Sequence, residues 1–319
     1  MLKRVCVLGG SGFVGKHIIA KLVQQGCQVR VLSRSREKHR ELLVLPTVEV
    51  IQTNIHHPPA LEHHFQEQDA VINLVGILNE KHDNGSGFHF AHVELAQKII
   101  KACQHNNIKR LLHMSALHAD AKQGPSYYLR SKGEAQTLVH AVKDMQVTSF
   151  CPSVIFGPED SFFNRFASLL YIVPGFLPLA CASARFAPVY VGDVASAFTQ
   201  SLNNPYTFGQ SYNLCGPEVY TLKQLVEYTA QQLGLKTKVI GLGDSSSRLM
   251  ANVFQYTPFF KPLTRDNYRS MQVDSVCTED FPSIFNLKPK SIQEIVPGYL
   301  ANRTFRQRYY TLRRRARRT

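Results

Sequence analysis

The sequence predicts an α/β fold in which a doubly wound parallel β-sheet carries helices on both faces and a smaller C-terminal lobe follows. Three observations predict it. Short apolar runs alternate with longer amphipathic stretches over the first half of the chain, a glycine-rich turn follows the first apolar run, and the alternation becomes looser after about residue 152. With 319 residues and 44% hydrophobic side chains, the chain can bury a core of that size.

The apolar runs of the first half predict six strands. They are Arg4–Leu8, Gln28–Leu32, Val48–Gln52, Ala70–Leu74, Arg110–Met114 and Val147–Cys151. The stretches between them predict helices, among them Gly15–Gln25, Phe90–Asn106 and Ser131–Lys143. Further on, Arg185–Val191 predicts another strand and Asp193–Leu202 a helix that returns to the core. We therefore expect a core over 1–155, completed by 185–202, a lobe over 156–302 and a tail over 303–319.

A glycine-rich turn connects the first predicted strand to the first predicted helix, and its glycines form a G-x-x-G-x-x-G pattern. Without a Cβ atom, Gly9 can make a tight turn, Gly12 can let the backbone approach a pyrophosphate, and Gly15 can let helix and strand pack closely. Free N–H groups at the helix N-terminus favour the same anion. We therefore predict a phosphate loop, with a purely structural turn as the alternative. Its members are Gly9, Ser11, Gly12, Phe13, Val14 and Gly15.

The end of the second predicted strand indicates which dinucleotide is preferred. A carboxylate at this point favours the free 2′-hydroxyl of NAD(H), whereas arginine favours the 2′-phosphate of NADP(H). The chain reads Ser33-Arg34-Ser35-Arg36 here, with no acid before Glu37. Arg34 could bind a phosphate through its planar guanidinium, assisted by Ser33 or Arg36. The prediction is NADP(H), with NAD(H) as the second choice and a solvated basic loop as the alternative interpretation.

Tyr128 and Lys132 are four residues apart, so on a helix they share one face. A nearby cation lowers the pKa of a tyrosine, which would let the phenol exchange a proton with a carbonyl or alcohol near neutral pH. Ser115 follows the predicted strand Arg110–Met114 and could hydrogen-bond the same substrate oxygen, while Lys132 could also hold the nicotinamide ribose. We predict a catalytic set of Ser115, Tyr128 and Lys132; an ordinary surface pair is the alternative.

Histidines and cysteines give no metal signature. All 13 histidines precede residue 141, but no carboxylate or cysteine completes a ligand spacing, so we predict no metal. The seven cysteines include no C-x-x-C pair, which argues against a disulfide framework or a zinc site and favours a reducing compartment. Met1 to Arg4 lead directly into the first apolar run, leaving no room for a signal peptide before it. We therefore expect a cytoplasmic location.

The net charge of +14 is concentrated in one segment. Residues 303–319 contain eight arginines and no acid, and Phe305, Tyr309 and Leu312 recur among them at helical spacing. A helix with this pattern could lie on an anionic bilayer, on the inner face of the cytoplasmic membrane. RNA would be the less favoured ligand of the same arginines, and a solvated, disordered tail is the alternative.

A second segment is uncharged. No charged residue occurs between Arg165 and Arg185, but Pro174, Gly175 and Pro178 interrupt the run, which argues against a membrane-spanning helix. We predict a helix and a loop packed in the lobe. The alternative is an apolar opening for a lipid-like substrate or a membrane contact.

Beyond the glycine loop, five segments resemble the short-chain dehydrogenase/reductases of the atypical, extended type. The similarity is to the branch that contains the NADPH-binding accessory subunit of respiratory complex I, and it covers nearly the whole chain before the tail. The segments are Val71–Gly76, Pro152–Asp160, Phe186–Ala195, Gly216–Thr221 and Leu263–Asn267.

The resemblance implies a Rossmann core, a C-terminal substrate lobe and a bound NADP(H) held by the glycine loop and Arg34. Two departures from the family are visible: Asn54 replaces an aspartate near the adenine, and Cys151 replaces an arginine before Pro152. Besides the loop, Ser33, Arg34 and Arg36, the residues expected around the dinucleotide are Asn54, Leu74, Val75, Gly76, Tyr128, Lys132, Pro152 and Val154.

Three functions are compatible with these features. The favoured one is hydride transfer to or from a carbonyl or alcohol of an apolar or quinone-like substrate. The second is a non-catalytic dinucleotide-binding protein of a membrane respiratory or quinone-synthesising assembly, because the best-known member of the branch has no established turnover. The third is a nucleotide-sugar epimerase or dehydratase, which would use the same side chains.

Overall fold

A seven-stranded parallel sheet forms the centre of the computed structural model, which describes residues 2–173, 175–255 and 263–300. Its spatial order is β11-β6-β5-β4-β1-β2-β3, so the predicted doubly wound α/β fold is confirmed. The strands are β1 (Arg4–Leu8), β2 (Gln28–Ser33), β3 (Val48–Gln52), β4 (Ala70–Asn73), β5 (Arg110–Met114), β6 (Gln146–Pro152), β7 (Ile155–Phe156), β8 (Phe176–Leu179), β9 (Arg185–Phe186), β10 (Val189–Tyr190), β11 (Ser211–Leu214), β12 (Tyr220–Thr221) and β13 (Lys238–Gly241).

Helices cover both faces of this sheet and build the lobe. They are α1 (Phe13–Gln24), α2 (Arg40–Leu43), α3 (Pro58–Phe65), α4 (Ser86–Phe88), α5 (Leu95–His105), α6 (Tyr127–His140), α7 (Phe163–Ile172), α8 (Val191–Ser201), α9 (Leu222–Gln232), α10 (Asp244–Gln255), α11 (Arg265–Ser270) and α12 (Ile292–Leu300). A π-helical turn, His89–Glu94, joins α4 to α5, so the predicted helix Phe90–Asn106 is present with a widened first part.

Two apolar layers hold the core together. Helices α1 and α8 bury side chains such as Ile19 and Phe198 against one face of the sheet, while α3, α5 and α6 bury Phe65, Ile99 and Val139 against the other. The central strands are apolar on both faces, as Val5–Leu8 of β1 shows, because a parallel sheet covered on both sides has no solvated face. This arrangement leaves the loops at the carboxyl ends of the strands free to form a site.

The predicted strand Arg185–Val191 is wrong. It is divided into β9, which pairs antiparallel with β12, and β10, which pairs in parallel with β7. Pro188 lies between the two and has no N–H group to continue one ladder. The seventh strand of the main sheet is β11 instead, which lies beside β6 and was not identified by sequence periodicity.

The cysteine spacing argues against a disulfide framework, but one disulfide is present, between Cys215 and Cys277. They are separated by 62 residues in the sequence, so no local spacing could indicate the pair. Cys215 follows β11, and Cys277 belongs to the segment after α11, whose Ser275 is hydrogen-bonded to β9.

The uncharged segment contributes α7 and β8 to the lobe, so the predicted helix is present, but Phe176–Leu179 form a strand paired with β13 where a loop was expected. Leu170 and Leu177 pack there against α9 and β13. Within the described residues, no helix is both long enough and apolar enough to cross a bilayer. Pro174 and the arginine-rich segment 303–319 lie outside the described residues.

Candidate functional site

The glycine turn lies where the strand order reverses, between β1 and β4. Gly9 has a φ of 75°, and the Gly12 N–H donates to its carbonyl at 3.0 Å. A Cβ atom on Gly9 would lie 3.1 Å from the backbone of Leu74 and Val75, which follow β4. The two loops are therefore in direct contact at the crevice where open α/β sheets bind their ligands.

The start of α1 suits a pyrophosphate. A Cβ atom on Gly15 would lie 2.5 Å from Gly10, so only glycine allows the helix to pack this closely on the turn. A Cβ atom on Gly12 would contact only the Gly9 carbonyl oxygen within 4 Å. No described side chain caps the helix, and its first turn contains no acid. Its N–H groups are thus open to an anion, and the residues present fit the phosphates of a dinucleotide.

The end of β2 carries an available cation. Ser33 is buried, and its hydroxyl lies 3.5 Å from that of Ser11 in the glycine loop. Arg34 is exposed, and none of the described residues forms an ion pair or a hydrogen bond with its guanidinium. Arg36, by contrast, lies 3.7 Å from Glu37. Asn54 is occupied by its own turn, because its side-chain oxygen accepts the His56 N–H at 3.0 Å.

Lys132 joins the ends of β4 and β5. Its ammonium donates to the carbonyls of Met114 at 3.0 Å and Val75 at 3.3 Å, and the side chain is only 3% exposed. Burial lowers the pKa of Lys132 to about 8. A Cβ atom on Gly76 would lie 3.1 Å from the ammonium, so this glycine leaves room for it.

Tyr128 lies in the first turn of α6, since that helix begins at Tyr127 rather than at Ser131. Its ring meets the rings of Phe88 and His92 edge-on, with centroids 6.0 and 5.7 Å away. Burial raises the pKa of Tyr128 to about 12. The expectation that Lys132 lowers this pKa is therefore wrong for this structure, because burial dominates and the ammonium is directed at two carbonyls.

Ser115 follows β5 and is 2% exposed, with its N–H donating to the Phe150 carbonyl at 2.8 Å. Its hydroxyl forms no regular hydrogen bond among the described residues, and it interacts with the neighbouring Cys151 thiol, whose pKa it lowers in part. The lysine contact with Met114 brings Lys132 to the peptide group that precedes Ser115. A buried hydroxyl without a regular hydrogen bond, one residue after the peptide carbonyl that accepts from Lys132, is suited to a bound polar atom.

The neighbouring strand end has no cation at the family's arginine position. The buried Cys151 thiol donates to the Gln136 side-chain oxygen at 3.4 Å, and burial raises the pKa of this thiol to about 11. Pro152 ends β6, and the Val154 carbonyl accepts the Val189 N–H at 3.0 Å. Both residues lie at the same edge of the sheet as the glycine loop.

Sequence reasoning missed two buried histidines. The Nε2 atom of His92 accepts the Ile77 N–H at 3.2 Å, so Nδ1 carries the hydrogen and donates to the Ser131 hydroxyl at 2.8 Å. That hydroxyl donates to the Tyr128 carbonyl at 2.9 Å. Burial lowers the pKa of His92 to about 2, so the ring is neutral and serves to orient α6.

The second histidine is His113, the next-to-last residue of β5. Its Nδ1 accepts from the Asn73 amide nitrogen at 3.3 Å, while the Asn73 oxygen accepts the Val75 N–H at 3.1 Å. Burial lowers the pKa of His113 to about 3. A histidine in a strand that is apolar from Leu111 to Met114 apart from it, and an asparagine at the end of β4, are the available signals. No group of three or more metal-ligating side chains occurs within the described ranges.

Known proteins resemble this chain in sequence and in fold. The model of the NAD dependent epimerase/dehydratase family matches residues 5–215. The mitochondrial NADH-ubiquinone oxidoreductase 40 kDa subunit of Neurospora crassa is 24% identical over 94% of this chain and 77% of its own length. Ceramide reductase of Caulobacter vibrioides is 26% identical over 75% of this chain and 74% of its own length.

A solved structure shows the same fold. The dTDP-glucose 4,6-dehydratase DesIV of Streptomyces venezuelae, with NAD and TYD bound, superposes with a TM-score of 0.72 at 17% identity, covering 98% of each chain. At that identity the likeness concerns the fold alone. The family match spans β1 to β11 and includes the glycine loop, Tyr128 and Lys132. The chain therefore belongs to the NAD dependent epimerase/dehydratase family.

Proposed function

We propose that the protein binds NADP(H) and transfers a hydride between this cofactor and a carbonyl or alcohol of an apolar, quinone-like or lipid-like substrate. The observation that carries the proposal is the position of Lys132, which is buried between the ends of β4 and β5, next to Ser115 and four residues after Tyr128. This constellation lies at the same sheet edge as the glycine loop. A cofactor phosphate and a reacting oxygen can thus be held on one side of the molecule.

The preference for NADP(H) rests on Arg34. This exposed cation directly follows a buried serine at the end of β2, and no acid precedes Glu37 to favour a free 2′-hydroxyl. A guanidinium can bind a phosphate through two parallel hydrogen bonds. NAD(H) is the alternative, in line with the name of the family.

The bound cofactor would supply or accept the hydride, and the chain's own side chains would handle the proton. Because burial raises the pKa of Tyr128 to about 12, its phenol is fully protonated at neutral pH. Tyr128 is therefore suited to donate its proton to an oxygen that becomes negative, which is the direction of carbonyl reduction. Lys132 would stabilise the phenolate as it forms, and the Ser115 hydroxyl would hold the reacting oxygen.

Features of the lobe support an apolar substrate. The uncharged segment between Arg165 and Arg185 contributes α7 and β8, and Ile172 and Phe176 expose large side chains there. The Caulobacter relative is named a ceramide reductase, which is an enzyme for an amphiphilic substrate. A charged nucleotide sugar would find fewer partners on such a surface.

A second candidate function is a dinucleotide-holding subunit without turnover. It is favoured by the similarity to the Neurospora respiratory subunit, which extends over 94% of the chain. In that role the protein would join a membrane respiratory or quinone-synthesising assembly from the cytoplasmic side. The eight arginines of residues 303–319 would hold it on the inner face of the cytoplasmic membrane.

The first test is to denature the purified protein, identify any released dinucleotide by mass spectrometry, and measure its exchange with NADP(H) and NAD(H). Turnover is then measured with NADPH and two probes, a short-chain quinone and a long-chain 3-ketone. Tyr128→Phe should abolish oxidation of NADPH while leaving its binding nearly unchanged, and Tyr127→Phe is the matched control. An unaltered rate in Tyr128→Phe would exclude the proposed proton donor.

The two candidate functions differ in this experiment. NADP(H) that copurifies, does not exchange and is not oxidised by either probe would support the subunit without turnover. Tightly held NAD(H) would overturn the NADP(H) assignment and favour an epimerase, which regenerates its cofactor in each cycle. Reversible NADPH binding with turnover supports the reductase.

A further inference from the structure

We propose that Asp266, a residue of the C-terminal lobe, positions Tyr128 by holding the first turn of α6. The inference rests on the proposed hydride transfer only for its effect on turnover. Nothing in the sequence motifs assigns this role, because Asp266 is 138 residues away from Tyr128 along the chain.

The start of α6 has an unusual pair of caps. The first N–H groups of any helix lack partners within the helix and need an external acceptor. The Ser126 hydroxyl accepts the Leu129 N–H at 3.1 Å, which is an ordinary local cap. Asp266 adds a remote one: its two carboxylate oxygens accept the N–H groups of Tyr127 at 2.7 Å and Tyr128 at 3.1 Å. One carboxylate therefore fixes two successive peptide groups, including that of Tyr128 itself.

Asp266 is held firmly in turn. It lies in α11, which begins with a reciprocal cap between Thr264 and Asn267, and the carboxylate is only 3% exposed. A buried carboxylate that loses its hydrogen bonds is strongly destabilising. The carboxylate of Asp266 therefore favours the conformation in which it accepts the N–H groups of α6. Arg269 lies 3.7 Å from the carboxylate and supplies partial compensation.

Helix α11 also binds the loop that precedes α4. Arg269 donates to Asp83 at 2.8 Å, and Asn267 donates to the Leu78 carbonyl at 3.2 Å. This loop leads into α4, whose Phe88 packs against the Tyr128 ring. A further hydroxyl contact, Ser270 to Ser126 at 2.8 Å, completes the junction. Through α11 the lobe thus holds both the backbone and one ring neighbour of Tyr128.

The consequence concerns catalysis rather than cofactor binding. The glycine loop and Arg34 belong to β1, α1 and β2, and Asp266 forms no hydrogen bond with any of these elements in the part of the chain that is described. Displacing a proton donor by about 1 Å can lower a rate about a hundredfold. Loss of the Asp266 cap should therefore reduce kcat while leaving the affinity for the dinucleotide intact.

The test compares Asp266→Ala and Asp266→Asn in the full chain with bound dinucleotide. Asp274→Asn is the matched control, because this second lobe carboxylate accepts a strand N–H, that of Arg185, at 3.0 Å. Hydrogen exchange is followed in peptides that contain the Tyr127 and Tyr128 amides and in peptides of the glycine loop. The Kd for NADPH, kcat and KM are measured in parallel with the active probe.

For Asp266→Ala we expect exchange at Tyr127 and Tyr128 to accelerate roughly tenfold or more, with the glycine loop and the Kd for NADPH unchanged. Turnover should fall about tenfold to a hundredfold in kcat with little change in KM. Asp266→Asn keeps one acceptor oxygen, so its exchange rates and its kcat should lie between those of wild type and Asp266→Ala. If the alanine variant does not fold, the asparagine variant is compared directly with wild type. Asp274→Asn should match wild type.

Unchanged exchange at Tyr127 and Tyr128, or an equal loss of protection throughout the core, would overturn the positioning role. If the wild type turns over neither probe, the proposed function fails, but the exchange comparison still decides whether Asp266 holds the turn that carries Tyr128.

Discussion

Replacing Arg34 by glutamine should separate the two nicotinamide cofactors. Arg34 is exposed, and within residues 2–173, 175–255 and 263–300 its guanidinium forms no hydrogen bond or ion pair, so the change breaks none there. Its effect on folding should stay within about 0.5 kcal/mol. The expected loss is therefore confined to the 2′-phosphate of NADP(H).

The size of that loss follows from the number of hydrogen bonds. One or two bonds between the guanidinium and a phosphate, each worth about 1.5–3 kcal/mol before solvent screening, amount to roughly 2–3 kcal/mol at this exposed position. Since 1.4 kcal/mol is a factor of ten, the Kd for NADPH should rise about 30- to 150-fold. The Kd for NADH should change by no more than about twofold, because NADH has no 2′-phosphate.

Calorimetric titration of both cofactors at low and high salt is the appropriate assay. Arg36→Gln is the matched control, since Arg36 lies 3.7 Å from Glu37 and is less available to a phosphate. NADPH binding by the Arg34 variant should also lose part of its salt dependence. Equal weakening of NADPH and NADH, or none for NADPH, would refute the assignment of Arg34.

Three further predictions concern stability. Gly15→Ala would place a Cβ atom 2.5 Å from Gly10. It should therefore lower the free energy of unfolding by about 1–3 kcal/mol, measured as a lower Tm. An unchanged Tm would contradict the close packing of α1 on the glycine turn. Burial lowers the pKa of Lys132 from 10.5 to about 8, so the unfolded chain binds more protons between these values and stability should rise with pH there. Urea unfolding at pH 7.5 and pH 10 measures the free energy of unfolding, and Lys132→Met should remove its rise between these two pH values. The same rise in wild type and in Lys132→Met would argue against the buried ammonium. Without reductant, Cys277→Ser should lower the free energy of unfolding by about 2–4 kcal/mol, because it removes the Cys215–Cys277 disulfide. Reduced wild type should be as stable as this variant. Equal stability of oxidised wild type and the variant would exclude a stabilising disulfide.

Local sequence was sufficient for the core and the glycine loop. A strand buried on both faces must be apolar throughout, so β1 could be recognised from Val5–Leu8 alone. The requirement for glycine at Gly9 also acts locally, through a positive φ of 75°. Such features depend on neighbouring residues, and neighbours in sequence are visible without a fold.

Boundaries and short strands were less predictable. Helix α6 begins at Tyr127 instead of Ser131 because Ser126 and Asp266 cap it, and only the first of these caps lies nearby in the sequence. The two-residue strands β9 and β10 are too short to show a period. The pattern of residues therefore predicts one continuous strand and misses the break at Pro188. Their partners, β12 and β7, are set by the packing of the lobe.

The residues alone predict a doubly wound α/β chain with a glycine loop, Arg34 at the end of β2, and Tyr128 and Lys132 at helical spacing. The tertiary structure sets what surrounds that pair. It directs Lys132 to the carbonyls of Val75 and Met114, and it brings Asp266 to Tyr128 across 138 residues. It also raises the pKa of Tyr128, whereas the spacing to Lys132 predicts a lower one. Desolvation depends on every atom packed around the phenol, and the spacing of two residues in the sequence contains no information about those atoms.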